Sequence, residues 1–383
     1  MGIFQGKRGW LAMGILVATV PSGWSQIHIP LRSYYENGTY QRIGIELAIG
    51  GSDEYYEYIL DTGSDALMIK HGVDIGGATF IGTTSQASYG ASGGDTFNFG
   101  TYIGTVQLKD KLGGVHSTTV EFGRADSGSS MPGTAPGGIL GAGPSAHTYT
   151  NTDSTTQSET PTFNLFSILG QIAVPEGLMG GFTIRLDGEN SMLTIGISES
   201  YWDQVANKVT MTAASSPVDF PNTGLPTYDD DQMSGTVIFT DAEGETFTRA
   251  TPFKIDSGAP DNFYVTHSEA AYEELLERGF LVNASGGVAN LMDGITVSVP
   301  EIGYEFVVGS DYATQVTVYE HNHPGTYPHF NTGINPYNEY EVTFLFDDGS
   351  GNGYVGFLPI PEPSSVMLAL LGIGALLSRR RVG

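Results

Sequence analysis

The sequence predicts an all-β chain built in two related halves, and three observations carry that expectation. Glycine is abundant, 53 residues in 383, and short runs rich in Val, Ile, Thr, Tyr and Phe lie between the glycines. Such side chains suit a pleated, half-buried surface, and frequent glycine suits tight turns. Segments such as residues 40–50 alternate apolar and polar side chains, as a strand with one buried face does. Finally, one short pattern occurs twice, 195 positions apart: Tyr58-Ile59-Leu60-Asp61-Thr62-Gly63-Ser64 and Phe253-Lys254-Ile255-Asp256-Ser257-Gly258-Ala259.

In each copy an apolar run stops at Asp, a hydroxyl residue and Gly. Glycine allows the turn and the close backbone approach that a Cβ resists. The hydroxyl can bond backbone or side chain nearby and hold the turn in one shape. A carboxylate ending a buried strand is costly unless it is hydrogen-bonded or opens on a cleft. One Asp-Thr-Gly reads as a β-turn. Two, each behind a strand, point to two halves that deliver one carboxylate apiece to a shared site.

The chain is long enough for one large domain or two mid-sized ones. It has no cysteine, which excludes disulfides and thiolate metal sites. Its net charge of −26, from 42 acidic and 16 basic residues, repels phosphates, and no basic stripe opposes it, so no nucleic-acid partner is expected.

The two Asp loops resemble those of the pepsin-like aspartic proteases, in which each lobe contributes an Asp-Thr-Gly or Asp-Ser-Gly loop. The resemblance implies a bilobal pepsin-like fold, with two pseudo-twofold-related β-barrel-like lobes and a central cleft. It makes Asp61 and Asp256 the catalytic pair, supported by Thr62, Gly63 and Ser64 in one loop and by Ser257 and Gly258 in the other. The strand over residues 40–50 is similar to the family's opening strand, and residues 65–69 correspond to the strand leaving the first loop. A Trp common in the family near Met68 is absent. Tyr89-Gly90, in a run of small residues, resembles the tip of the flap that closes over substrate.

Further along, Gly137-Gly138-Ile139-Leu140-Gly141 resembles the family's Asp-Gly-Ile-Leu-Gly segment, with Gly137 in place of the Asp. It lacks the Lys and Ser/Thr of a phosphate loop. Apolar spacing predicts a short helix over 163–172 and a hairpin over 181–196, with the lobe boundary near 197–201. The second lobe opens with a strand over 208–212. The acidic run Asp229-Asp230-Asp231 reads as a solvated loop without Ca²⁺-loop spacing. A hairpin over 236–248 leads to the second Asp loop, and a helix capped by Ser268 runs to Leu276. His321, His323 and His329 specify no complete metal site. Asn331-Thr332-Gly333 stands where the family has two apolar residues and Gly, and Phe346-Asp347 and Val355-Gly356-Phe357 are similar to its closing strands.

The ends read as targeting elements. Residues 1–25 carry Lys7 and Arg8 before a short apolar stretch, as a secretory signal does. The lobes then span 27–197 and 198–360, with no room for the family's usual prosegment. Residues 361–383 combine Pro361-Glu362-Pro363, an apolar run and Arg379-Arg380-Arg381. This resembles the PEP-CTERM sorting tails of bacterial exosortase substrates. It implies export to the surface, outer membrane or extracellular polymer of a Gram-negative-type bacterium. It also implies processing by an exosortase-type enzyme and transient membrane contact through the tail.

Two carboxylates side by side share one proton, so one can take a proton from water while the other donates to a peptide carbonyl. The expected function is therefore a secreted aspartic endopeptidase, monomeric, with a peptide or protein substrate and neither cofactor nor metal. The alternative is a non-catalytic pepsin-fold binding or structural protein of the cell envelope or extracellular matrix. A two-carboxylate glycosidase has only the charge chemistry in its favour. Ser64 stands where the family bonds the outer oxygen of the first Asp, and the equivalent position, Ala259, has no hydroxyl. That difference predicts more of the pair's negative charge on Asp61 than on Asp256.

Overall fold

The computed structural model describes residues 26–36, 39–89, 95–129, 131, 135–145, 147–151, 157–160, 177–214, 218–220, 224–310, 314–323 and 327–360. Residues 1–25 and 361–383, the helix expected over 163–172, and Gly90 lie outside the described residues. The fold is all-β and bilobal, of the pepsin-like type, as the sequence predicts.

The first lobe is built on a ten-stranded sheet. Within it, strands Asp95–Lys109, Val115–Ala125, Leu67–Ile69, Gly138–Gly141, Tyr56–Asp61 and Tyr40–Ile49 are hydrogen-bonded in turn. The ring closes where Ala48 and Ile49 meet Gln107 and Val106. Closure removes the free edges among these strands and gives the lobe its barrel. Strand Tyr56–Asp61, which ends in the first Asp, runs parallel to Gly138–Gly141, with Asp61 opposite Gly141. Strand Leu67–Ile69 returns antiparallel to Gly138–Gly141 and lies parallel to Val115–Ala125.

The second lobe repeats this arrangement with different residues. Strand Thr246–Lys254, which leads to the second Asp, runs parallel to Phe330–Asn331. Strand Asn262–Val265 returns antiparallel to Phe330–Asn331 and lies parallel to Val316–Tyr319. The same crossed connection, built twice, is the structural content of the repeated sequence pattern.

Six strands join the halves: Ile27–Pro30, Met192–Ile197, Met179–Arg185, Tyr340–Leu345, Tyr354–Pro359 and Asn207–Ala213. The hairpin expected over 181–196 forms here, and Phe182 packs on Phe344 across the halves at 5.2 Å between ring centres. The closing strands belong to this layer too. One large apolar core, which includes Tyr58, Phe182, Phe253 and Tyr337, runs through both halves. A smaller cluster around Met68, Phe97 and Phe99 completes the first lobe. The helix Glu269–Glu277 starts as expected, with the Ser268 side chain accepting from the Ala271 amide.

The acidic triplet is a correction. Strand Tyr228–Thr240 already includes Asp229 to Asp231, which lie at a register shift between the pairs Tyr228 with Ala213 and Met233 with Met211. Local composition favours a loop there, and the strand pairing on either side of the triplet overrides it.

Candidate active site

The Asp61 carboxylate is held inside its own turn. The Gly63 amide donates to Oδ1 at 2.9 Å, and the Ser64 hydroxyl donates to Oδ2 at 2.8 Å. The Asp256 carboxylate is held in the same way on one side, its Oδ1 accepting from the amides of Gly258 at 2.9 Å and Ala259 at 3.1 Å. Asp61 is only 2% exposed, whereas Asp256 is partly open to solvent.

The two loops meet face to face. A Cβ added at Gly63 would lie 2.2 Å from the Asp256 carboxyl carbon, and one added at Gly258 would lie 2.2 Å from that of Asp61. Each glycine thus leaves room for the opposite carboxylate, which is why both loops need Gly there. Any side chain would push the pair apart.

Behind them, the two hydroxyl residues lock the loops together. The Thr62 amide donates to Ser257 Oγ and the Ser257 amide to Thr62 Oγ1, both at 3.0 Å. Thr62 Oγ1 donates to the Ile255 carbonyl and Ser257 Oγ to the Leu60 carbonyl, both at 2.7 Å. All four groups are buried, so each bond is exchanged between lobes away from water. Thr62 has spent its only proton on Ile255, so the 2.8 Å bond to the Tyr337 hydroxyl is donated by the tyrosine. Burial pushes the Tyr337 phenol above its ordinary value, which keeps it a neutral donor.

Three further residues at the site escape sequence reasoning. Gln232 is 1% exposed and adopts a positive φ of 57°, at a bulge where Gln232 and Met233 both oppose Phe253. Its amide donates to the Thr62 carbonyl at 2.7 Å and accepts from the Ile255 amide at 2.8 Å, bridging both loops. Arg42, from the first lobe, donates to the Gly258 carbonyl at 2.5 Å. The Asn331 Nδ2 donates to Asp256 Oδ2 at 2.6 Å. The only sequence signal for Asn331 is a polar residue where an apolar one is expected.

Asp261 follows the second loop and is largely buried. Burial pushes its carboxyl up to about 6, opposed by a bond to its own backbone and by Arg42, with the Asp256 charge adding to the rise.

Strands Thr79–Tyr89 and Asp95–Lys109 form the hairpin expected to carry a flap, and Tyr89 opposite Asp95 is the last described pair. The Tyr89 side chain lies outside the described residues, as Gly90 does. Met68, near the position where the family often has Trp, is buried in the smaller apolar cluster. Among the described residues, no three His, Asp or Glu side chains are grouped to hold a metal ion.

Two β lobes, each with a crossed strand connection and an Asp-hydroxyl-Gly loop meeting its counterpart, define the pepsin-like fold. Solved structures of that fold are similar to most of this chain. The aspartic proteinase from Irpex lacteus aligns with a TM-score of 0.54 and 15% identity, covering 89% of this chain and 100% of its own. Conglutin gamma, a basic 7S globulin from lupine seeds, aligns with a TM-score of 0.53 and 10% identity, covering 86% and 94%. No protein-family model matches the sequence, and no curated protein does.

Proposed function

We propose that this protein is an aspartic endopeptidase, with Asp61 and Asp256 activating one water molecule between them for attack on a peptide carbonyl. The observation that carries the reading is the reciprocal placement of each carboxyl against the other loop's glycine, with the hydroxyl lock beneath. Two carboxylates so close share one proton: the ionised member takes a proton from water, and the protonated member donates to the carbonyl oxygen. The product is a tetrahedral diol that collapses to free acid and amine, with no covalent enzyme intermediate. Tyr89 and Gly90 would cover an extended peptide from the hairpin tip. Residues 1–25 would direct export, and 361–383 would direct sorting to the cell surface or extracellular polymer.

The alternative is a pepsin-fold binding or structural protein, and the similarity to a seed globulin gives it a specific footing. Incubating the exported chain with an unfolded protein between pH 3 and 7 separates the two. The peptidase reading expects cleavage that Asp61→Asn and Asp256→Asn each abolish and that a statine-type inhibitor blocks. Absence of cleavage, with no inhibitor binding, would leave the binding protein.

A further inference from the structure

In the first lobe, the Ser64 hydroxyl holds Oδ2 of its aspartate. The matching second-lobe residue, Ala259, has no side-chain donor, yet Asp256 Oδ2 is not left without one. Lys254 pairs with Asn331 as Ile59 pairs with Ile139, so Asn331 occupies the place that buried Ile139 fills in the first lobe. There it reaches Asp256 Oδ2 at 2.6 Å while being only 1% exposed. Its orientation is dictated by chemistry. Oδ1 accepts from the Gly333 amide at 2.8 Å, which leaves Nδ2 facing the carboxylate. The opposite flip would set oxygen against oxygen and one N–H against another.

We propose that Asn331 is a positioning residue that replaces the hydroxyl missing at 259 and, as an obligate donor, keeps Asp256 ionised while the shared proton sits on Asp61. This rests on the peptidase reading for its catalytic consequence. The argument is one of donor capability. Gly258 and Ala259 amides face Asp256 Oδ1, and the Asn331 amide faces Oδ2. None of the three can accept, so all three favour the charged carboxylate and none offers a partner to a proton on it. Ser64, opposite Asp61 Oδ2, is a hydroxyl and can turn from donor to acceptor. A proton is therefore tolerated on Asp61 and opposed on Asp256, the reverse of the expectation drawn from Ser64 and Ala259 alone.

The other ionisable groups near Asp256 are Asp61, Asp261 and Arg42, with Tyr337 behind the loop as a neutral phenol. The roles follow. Asp256 takes a proton from water as the water oxygen bonds to the carbonyl carbon, and Asp61 gives its proton to the carbonyl oxygen. On collapse, the proton on Asp256 passes to the leaving amine, and Asp61 recovers its proton from the diol.

Neutron diffraction on deuterium-exchanged wild-type crystals reads the proton directly and requires no activity. Deuterium on the Asp61 carboxyl is expected, and deuterium on Asp256 Oδ2 would overturn the proposal. In kinetics, Asn331→Ile should lower kcat/KM about tenfold or more, through kcat rather than KM, and move the acid limb of the pH profile to higher pH. Adding Ala259→Thr should restore most of both. A pH profile unchanged in the Asn331→Ile enzyme would refute the assignment. A wild-type chain that cleaves nothing would sink the peptidase reading instead, and the neutron result would still decide where the proton lies.

Discussion

Thr62→Val tests the lock between the two lobes without depending on any activity. The substitution keeps a branched side chain of similar shape and deletes one oxygen. That oxygen serves three buried partners: it accepts from the Ser257 amide and the Tyr337 hydroxyl and donates to the Ile255 carbonyl. Valine replaces none of these bonds. A buried polar group left without a partner costs about 1–3 kcal/mol. Ile255 retains a 3.4 Å contact from Gln232 and the Tyr337 hydroxyl keeps a hydrogen bond with the Ser257 side chain, so both shares fall at the low end. The sum is about 3–5 kcal/mol, a large part of the roughly 5–15 kcal/mol by which proteins are stable. Urea denaturation at neutral pH measures it, with an unchanged slope showing that the native state still forms. Thr62→Ser is the control, because it keeps the hydroxyl and loses about 1 kcal/mol of buried methyl. If the valine variant came within about 1 kcal/mol of the serine variant, the hydroxyl lock would not be what holds the loops.

Two further outcomes follow from the residues around the pair. Asp261 has its folded value raised to about 6 from 3.8, so its stabilisation is fully present below about pH 3.8 and is lost as pH rises through about 6. Asp261→Asn should remove that slope, making the variant relatively more stable at pH 7 than at pH 3.5 by about 2–3 kcal/mol, as urea midpoints at the two pH values would show. At Gln232, Ala and Gly variants both lose the amide bridge, yet Gly accepts the positive φ of 57° at no steric cost. Gln232→Gly should therefore be more stable than Gln232→Ala by about 1 kcal/mol, the opposite of the usual order within strands, and equal midpoints would remove strain from the account.

Much of this molecule was legible because its signals are local. Alternation over 40–50, the Gly-rich turns, the Ser268 cap and the 181–196 hairpin each depend on side chains within a few positions of one another. The repeated Asp loops were legible for a related reason. An apolar strand ending in Asp, hydroxyl and Gly needs all three residue types, so its recurrence exposed the two-lobed plan. The acidic triplet failed because the residues flanking it, Tyr228 and Met233, pair with a strand elsewhere in the chain, and that pairing outweighs local composition.

The sequence by itself determined the all-β class, the paired carboxylates and the glycines and hydroxyls that their turns require. Tertiary structure alone decided who completes those turns. Gln232 joins Thr62 and Ile255, Arg42 crosses from one lobe to the carbonyl of Gly258, and Asn331 supplies from 75 residues away the donor that Ala259 lacks. A pattern along the chain fixes what each strand needs. It does not identify which distant side chain supplies it, because a hydrogen-bond donor is chosen by position in space, and residues far apart in sequence can fill the same place.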